Sequence, residues 1–175
     1  MTKRRTKRGF TLVEIILVTL ILTVLLVAVV TNYSAAYDDM ALERDAKLMA
    51  ATLFEGHTRA RSEGRDVCLL IHEDRQGYHL EAPETSDRSG AGAVSTEPLA
   101  DDLGLPVRLS RGVEIGIVQF DAARGGDPNR VWLFSDGRID GGVIVLTGRG
   151  GREAELRVPP RTGLTEIDFH YESRP

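Results

Sequence analysis

The residues whose spacing carries the most chemistry lie near the N-terminus. Lys3, Arg4, Arg5, Lys7 and Arg8 precede Gly9 with no acid among them. Residues 10–30 then form a run of 21 in which only Thr11, Glu14, Thr19 and Thr23 are not plainly apolar. A lone carboxylate at bilayer depth costs on the order of 3 kcal/mol unless it finds a partner, and no Lys, Arg or His lies between Phe10 and Val30. Cleavage after Gly9 would give Phe10 a free amine, with a reference pKa of about 7.7–8.0 and hence mostly protonated at neutral pH. Phe10 and Glu14 are four apart and share one helix face. One copy's Glu14 can then accept the amine of the next copy, which is a rule for polymerisation by parallel helices inside a membrane.

Catalytic chemistry finds no comparable footing. The chain has no HExxH, no GxSxG, no P-loop and no paired-cysteine metal site. His57, His72, His79 and His170 are scattered without ligand spacing. The stretch Asp136-Gly137-Arg138-Ile139-Asp140-Gly141 fails as a calcium loop, because its third position is Arg138 and its twelfth is Thr147 instead of Glu. Asp136-Gly137 and Asp140-Gly141 are better read as turns. Cys68 is the single cysteine, so no intrachain disulfide can form, and its Val-Cys-Leu-Leu-Ile setting predicts a buried small apolar residue. These features point away from an enzyme and imply neither cofactor nor metal.

The elements that must position Glu14 follow from periodicity. As a helix, residues 10–30 rise roughly 30 Å, about one bilayer core, with the basic flank cytoplasmic and the following chain outside. A secretory signal peptide cut near Ser34-Ala35-Ala36 would have a shorter apolar region, about 7–15 residues, and gives no reason for Glu14. From Asp38 to about Arg65, Leu42, Ala46, Met49, Leu53 and Ala60 recur at helical spacing, and Glu43 and Lys47 form an i, i+4 pair. One long helix is expected, with a membrane half followed by a soluble half.

After Asp66 the period shortens to β-type runs. Expected strands cover residues 67–72 and 78–80, a hairpin across Asp74-Arg75-Gln76-Gly77, then 107–109, 113–120, 131–134, 143–147, 156–158 and 167–171. A turn is expected at 123–128. Residues 83–106 contain no aromatic residue and predict a long loop, either flexible and solvated or an interaction surface. The expected class is α+β: a long N-terminal helix packed on a C-terminal antiparallel two-sheet β domain. The divisions are a basic leader at 1–9, a transmembrane helix at 10–30, its soluble continuation at 31–65, and a β-rich domain at 66–175.

The net charge of −4 hides an asymmetry. Removing the five leader cations from the 22 Lys and Arg leaves 17 against 26 acids, a charge near −9. Such a surface disfavours nucleic acid in general. Arg149, Arg152, Arg157 and Arg161 form a basic run that could hold phosphates, although Glu153 and Glu155 interleave.

Gly9-Phe10-Thr11-Leu12-Val13-Glu14 resembles the class III signal of type IV pilins and type II secretion pseudopilins. The resemblance implies that a prepilin peptidase cuts between Gly9 and Phe10 and methylates the new Phe10 amine, and that Glu14 and Phe10 serve subunit assembly. No Pro interrupts residues 10–30, where many pilins carry one. The segment Trp132-Leu133-Phe134-Ser135-Asp136-Gly137-Arg138, the apolar strand after Gly141-Gly142, and the late Thr162-Gly163 are similar to the GspH/FimT branch of pseudopilins. That resemblance implies a structural subunit, a minor pseudopilin that helps initiate or cap a periplasmic pseudopilus. Its implied setting is the inner membrane, with the C-terminal domain in the periplasm. Its implied partners are other minor and major pseudopilins, prepilin peptidase, the inner-membrane assembly platform and exported proteins. The alternative is a FimT-like minor type IV pilin that contributes to pilus assembly or to DNA binding and uptake, for which Gly148-Arg149-Gly150-Gly151-Arg152 supplies a partial match to a GRxR-type element.

Overall fold

The computed structural model describes residues 11–83, 95–120, 127–161 and 163–170, with backbone alone for 28–36. One helix, α1, runs Leu12–Glu63. Nine strands follow: β1 Val67–Ile71, β2 Gly77–Pro83, β3 Thr96–Pro98, β4 Val107–Arg108, β5 Glu114–Phe120, β6 Arg130–Leu133, β7 Gly142–Thr147, β8 Glu153–Val158 and β9 Glu166–His170. The chain divides into two compact units, Met1–Tyr37 and Asp38–Pro175.

In the first unit α1 begins at Thr11, whose carbonyl and hydroxyl both accept from the Glu14 amide, at 3.1 and 3.3 Å. This satisfies an amide that would otherwise be orphaned at the helix start. Thr19 and Thr23 return their hydroxyls to the helix's own carbonyls, Thr19 to Ile15 at 3.0 Å and Thr23 to Thr19 at 2.7 Å. The Thr19 and Thr23 hydroxyls are thus satisfied within the helix, which leaves an apolar cylinder broken by the Glu14 carboxylate. Among the described residues no helix is long and apolar enough to cross a membrane. The apolar residues with described side chains, 12–27, rise about 24 Å, short of a core of about 30 Å. The expected span of 10–30 reaches beyond them at both ends.

In the second unit α1 presents Leu42, Ala46, Met49, Leu53 and Ala60 to one shared core. Gly56 lets the helix come close: a Cβ there would lie 2.7 Å from a Leu133 methyl and 3.2 Å from two Leu80 methyls. The helix stops at Gly64, which takes φ of 62° while the Arg65 amide donates to the Ala60 carbonyl at 3.2 Å. That left-handed cap needs glycine because it has no Cβ to clash.

The strands form two antiparallel sheets. The first has the order β3-β2-β1-β6, with β4 also on β2; the second has the order β5-β7-β8-β9. Alternation places Val67, Leu69, Ile71, Tyr78, Leu80, Val131 and Leu133 of the first sheet, and Ile115, Ile144, Leu146, Ala154, Leu156 and Val158 of the second, in the same core as the helix stripe. The α+β class with a two-sheet domain is therefore what the chain adopts. The β1–β2 hairpin closes as expected, with Gln76 N–H donating to Asp74 Oδ1 at 2.9 Å and Arg75 at φ of 55°. β5 carries a register shift between Ile115 and Val118, a bulge on an edge strand.

The expectation of a structureless 83–106 segment is corrected in part. Residues 84–94 lie outside the described residues, but Thr96–Pro98 pairs with Glu81, Ala82 and Pro83 of β2. Asp102–Gly104 forms a single 3-10 turn capped by the Asp101 side chain. Gly104 packs directly on the Leu99 backbone, where a Cβ would meet the Leu99 carbonyl oxygen. Most of the expected turn at 123–128, as well as Thr162 and Tyr171, also lies outside the described residues.

Candidate assembly helix and domain surfaces

Gly9 and Phe10 lie outside the described residues, so the cleavage site rests on the sequence alone. Glu14 is exposed in the first turn of α1, where the positive helix end favours a carboxylate. No Lys, Arg or His follows Glu14 before Arg44. Around it the helix is bare: Leu12 is 78% exposed, and Val18, the best covered of the large apolar residues from 12 to 27, is still 46% exposed. A helix of this kind has everything to gain from a neighbouring apolar surface and, at Glu14, from a cation outside its own run.

The basic run does not form one array. Arg149 reaches toward Asp38 at 3.8 Å, and Arg152 donates to Asp39. Both acids lie at the start of the helix's soluble half. Arg157 sits on the outer face of the second sheet between Glu155 at 2.7 Å and Asp168 at 3.3 Å, and these carboxylates hold its guanidinium pKa above the ordinary value. Arg161 follows β8 and has no carboxylate within ion-pair distance among the described residues. Six residues of β8 separate the turn bearing Arg149 and Arg152 from the far end of the strand, about 20 Å. Three of the four cations thus face acids of their own domain, which leaves little free charge for a phosphate chain.

Asp45, 4% exposed, accepts from the Ser110 amide at 2.6 Å and the Ser110 hydroxyl at 3.0 Å, tying α1 to the turn before β5. The Glu43–Lys47 pair forms as the spacing predicts, at 2.5 Å. Cys68 is buried; burial first, and the nearby Glu81 charge second, push its thiol up to about 12 against the opposing pull of Arg130. A thiol held protonated in this way is not a nucleophile at neutral pH.

Two of the four histidines, separated in sequence, are neighbours in the fold. His72 Nε2 lies 2.9 Å from His79 Nδ1, and His79 Nε2 lies 3.0 Å from Glu81 Oε1. The chain continues through Thr96, whose hydroxyl donates to Glu81 and accepts from Arg130 at 2.9 Å. Strand register explains this: His79 and Glu81 share the face of β2 away from the core, and His72 closes the hairpin over Gly77. The hairpin signal with a His on each flank was the available clue. Among the described residues no group of three His, Cys, Asp or Glu could hold a metal. Asp140 is buried, and its carboxylate accepts from the Trp132 amide at 3.2 Å, so it fastens β6 in addition to shaping a turn.

A family model described as the prokaryotic N-terminal methylation motif matches residues 4–30. Over 155 residues the chain is 24% identical to a protein named Type II secretion system protein H from Aeromonas hydrophila, covering 83% of each chain. The solution structure of E. coli GspH aligns with a TM-score of 0.56 at 18% identity, covering 78% of this chain and 93% of that one. A crystal structure of the minor pseudopilin EpsH from the type II secretion system of Vibrio cholerae aligns with a TM-score of 0.52 at 14% identity, covering 77% and 97%. A methylation motif at the N-terminus and a two-sheet β domain after it are the two features this chain shares with these proteins. The chain is similar to the type II secretion minor pseudopilins of the GspH kind.

Proposed function

We propose that this chain is a minor pseudopilin of a type II secretion system, a structural subunit that helps initiate or cap the periplasmic pseudopilus. The observation that carries the reading is the bare apolar α1 with Glu14 in its first turn, joined in one chain to a domain with the GspH fold. Prepilin peptidase removes residues 1–9 and methylates Phe10. Residues 10–30 hold the subunit in the inner membrane until it enters the filament, and 66–175 stand in the periplasm. Glu14 accepts the Phe10 amine of a neighbouring subunit, while the β domain meets other pseudopilins or exported proteins.

The test is extracellular enzyme activity of a deletion strain with and without the wild-type chain restored. Retention of exported enzymes in the periplasm, relieved by complementation, supports the reading. Normal export in the deletion strain overturns it and moves attention to a FimT-like pilin acting in DNA uptake.

A further inference from the structure

Three segments of the second unit meet at the end of α1 that lies farthest from Asp38. Arg61 is 23 residues beyond Asp38, about 35 Å along the helix. Phe54, Thr58 and Arg61 share one face of α1, at i, i+4 and i+7. Beside that face the turn of residues 134–138 is pinned by His57, whose Nε2 lies 3.0 Å from the Gly137 carbonyl oxygen. A Cβ on Gly137 would lie 3.5 Å from Arg61 Cδ and Nε. Arg138 places its guanidinium 4.9 Å from the Phe134 ring centre. The third segment is fastened at both ends: Ile139 N–H donates to the Pro160 carbonyl at 3.1 Å, and Gly163 packs against the His57 ring. Arg161 and Leu164 are therefore carried to the same place.

The surface so assembled differs from the rest of this acidic chain. Phe54 is 49% exposed and Leu164 65% exposed. Arg61 and Arg161 are exposed, and among the described residues neither has a carboxylate within ion-pair distance. Arg138 is paired with Asp136 at 2.6 Å, on an exposed carboxylate whose pKa is lowered chiefly by hydrogen bonds from Arg138. Two guanidinium groups without a carboxylate partner among the described residues, and a third stacked on an aromatic ring, thus border two exposed apolar side chains. Guanidinium groups recognise carboxylates in a planar, two-pronged geometry. Arginine with aromatic residues is also the composition enriched at protein interfaces.

We propose that Phe54, Arg61, Arg138, Arg161 and Leu164 form a docking surface for an acidic segment of another protein chain, one that sets carboxylates around an aliphatic or aromatic side chain. Charge complementarity selects this occupant. Nucleic acid fits less well, because Leu164 has no π face for a base and the cations are too few to follow a backbone. The inference rests on the reading that the periplasmic domain meets other proteins, and it assigns that meeting to a particular face.

The experiment is photocrosslinking in living cells, with the full-length chain carrying Leu164→p-benzoylphenylalanine or, separately, Phe54→p-benzoylphenylalanine. Adducts are identified by mass spectrometry. The expected result is an adduct at both positions on a protein segment richer in Asp and Glu than in Lys and Arg. Arg61→Glu with Arg161→Glu should cut its yield about tenfold, and Arg→Gln at both sites should cut it less. Reversing the charges of the crosslinked segment should restore the yield to the doubly reversed variant. The melting temperature of the variants separates loss of docking from loss of fold. No adduct, an adduct on a basic segment or on nucleic acid, or a yield indifferent to charge reversal in a folded variant overturns the proposal. Because export by the crosslinking chain is scored in the deletion strain, failure here with export intact leaves the pseudopilin reading standing. Normal export without the chain removes that reading instead.

Discussion

His57 and Gly163 are in direct contact: a Cβ on Gly163 would run into His57 Nδ1. Gly163 also holds φ of 66°, a conformation that residues with a side chain rarely adopt. His57 is 4% exposed and reaches the Gly137 turn with its other ring nitrogen. One helix residue therefore locates two separate segments of the β domain.

Gly163→Ala should cost about 2–3 kcal/mol of stability, combining backbone strain with a contact that the buried ring has little room to relieve. Chemical denaturation of the folded chain measures this. A cost below about 0.5 kcal/mol would show that the segment moves freely away from His57.

Alkaline pH should weaken the fold in two overlapping steps. Burial raises the Cys68 thiol from 9.0 to about 12. It also raises the Tyr78 hydroxyl from 10.0 to about 12, against a smaller opposing effect of Thr52; among the described residues no group sits in hydrogen-bonding geometry with that hydroxyl. Between the ordinary and the raised values the folded chain holds protons that the unfolded chain has released, so stability falls as pH rises from about 9 to 12. Melting temperatures from pH 7 to pH 11 should decline above pH 9, and Cys68→Ala should make the first part of that decline shallower. An unchanged slope in the variant would contradict the assignment.

Glu14→Ala should leave leader removal largely intact but reduce co-purification with other pilin-like subunits several-fold. Gly9→Val should leave the chain unprocessed, seen as the intact mass. Normal co-purification of Glu14→Ala would count against the carboxylate as a docking group.

Arg149→Ala with Arg152→Ala should behave as a stability variant, because these residues face Asp38 and Asp39. A loss of about 1 kcal/mol is expected for two partly exposed ion pairs. DNA retention at low salt should be the same for variant and wild type. A sharp drop would revive the phosphate-binding reading of the basic run.

The features legible in the sequence were the local ones. Apolar alternation marked eight of the nine strands, the helical spacing that runs out near Arg65 marked the helix end, and Asp74 to Gly77 marked the hairpin. β3 was hidden because Thr96–Pro98 has no strand-like composition; it is an edge strand that exists by pairing with residues 81–83. The ion pairs of Arg149 and Arg152 were equally hidden. Spacing shows that cations cluster, but the acids that meet them lie more than a hundred residues earlier. His72 and His79 illustrate the same limit, since only strand register turns two separated imidazoles into neighbours.

The bulge in β5 has a counterpart at the other edge of its sheet, where β9 exposes Glu166, Asp168 and His170. A kinked edge and a charged edge both resist the addition of a further strand. The second sheet is therefore a poor template for the matching sheet of another copy. Copies of the chain held close together would not coalesce through this sheet, and any joining is left to other surfaces.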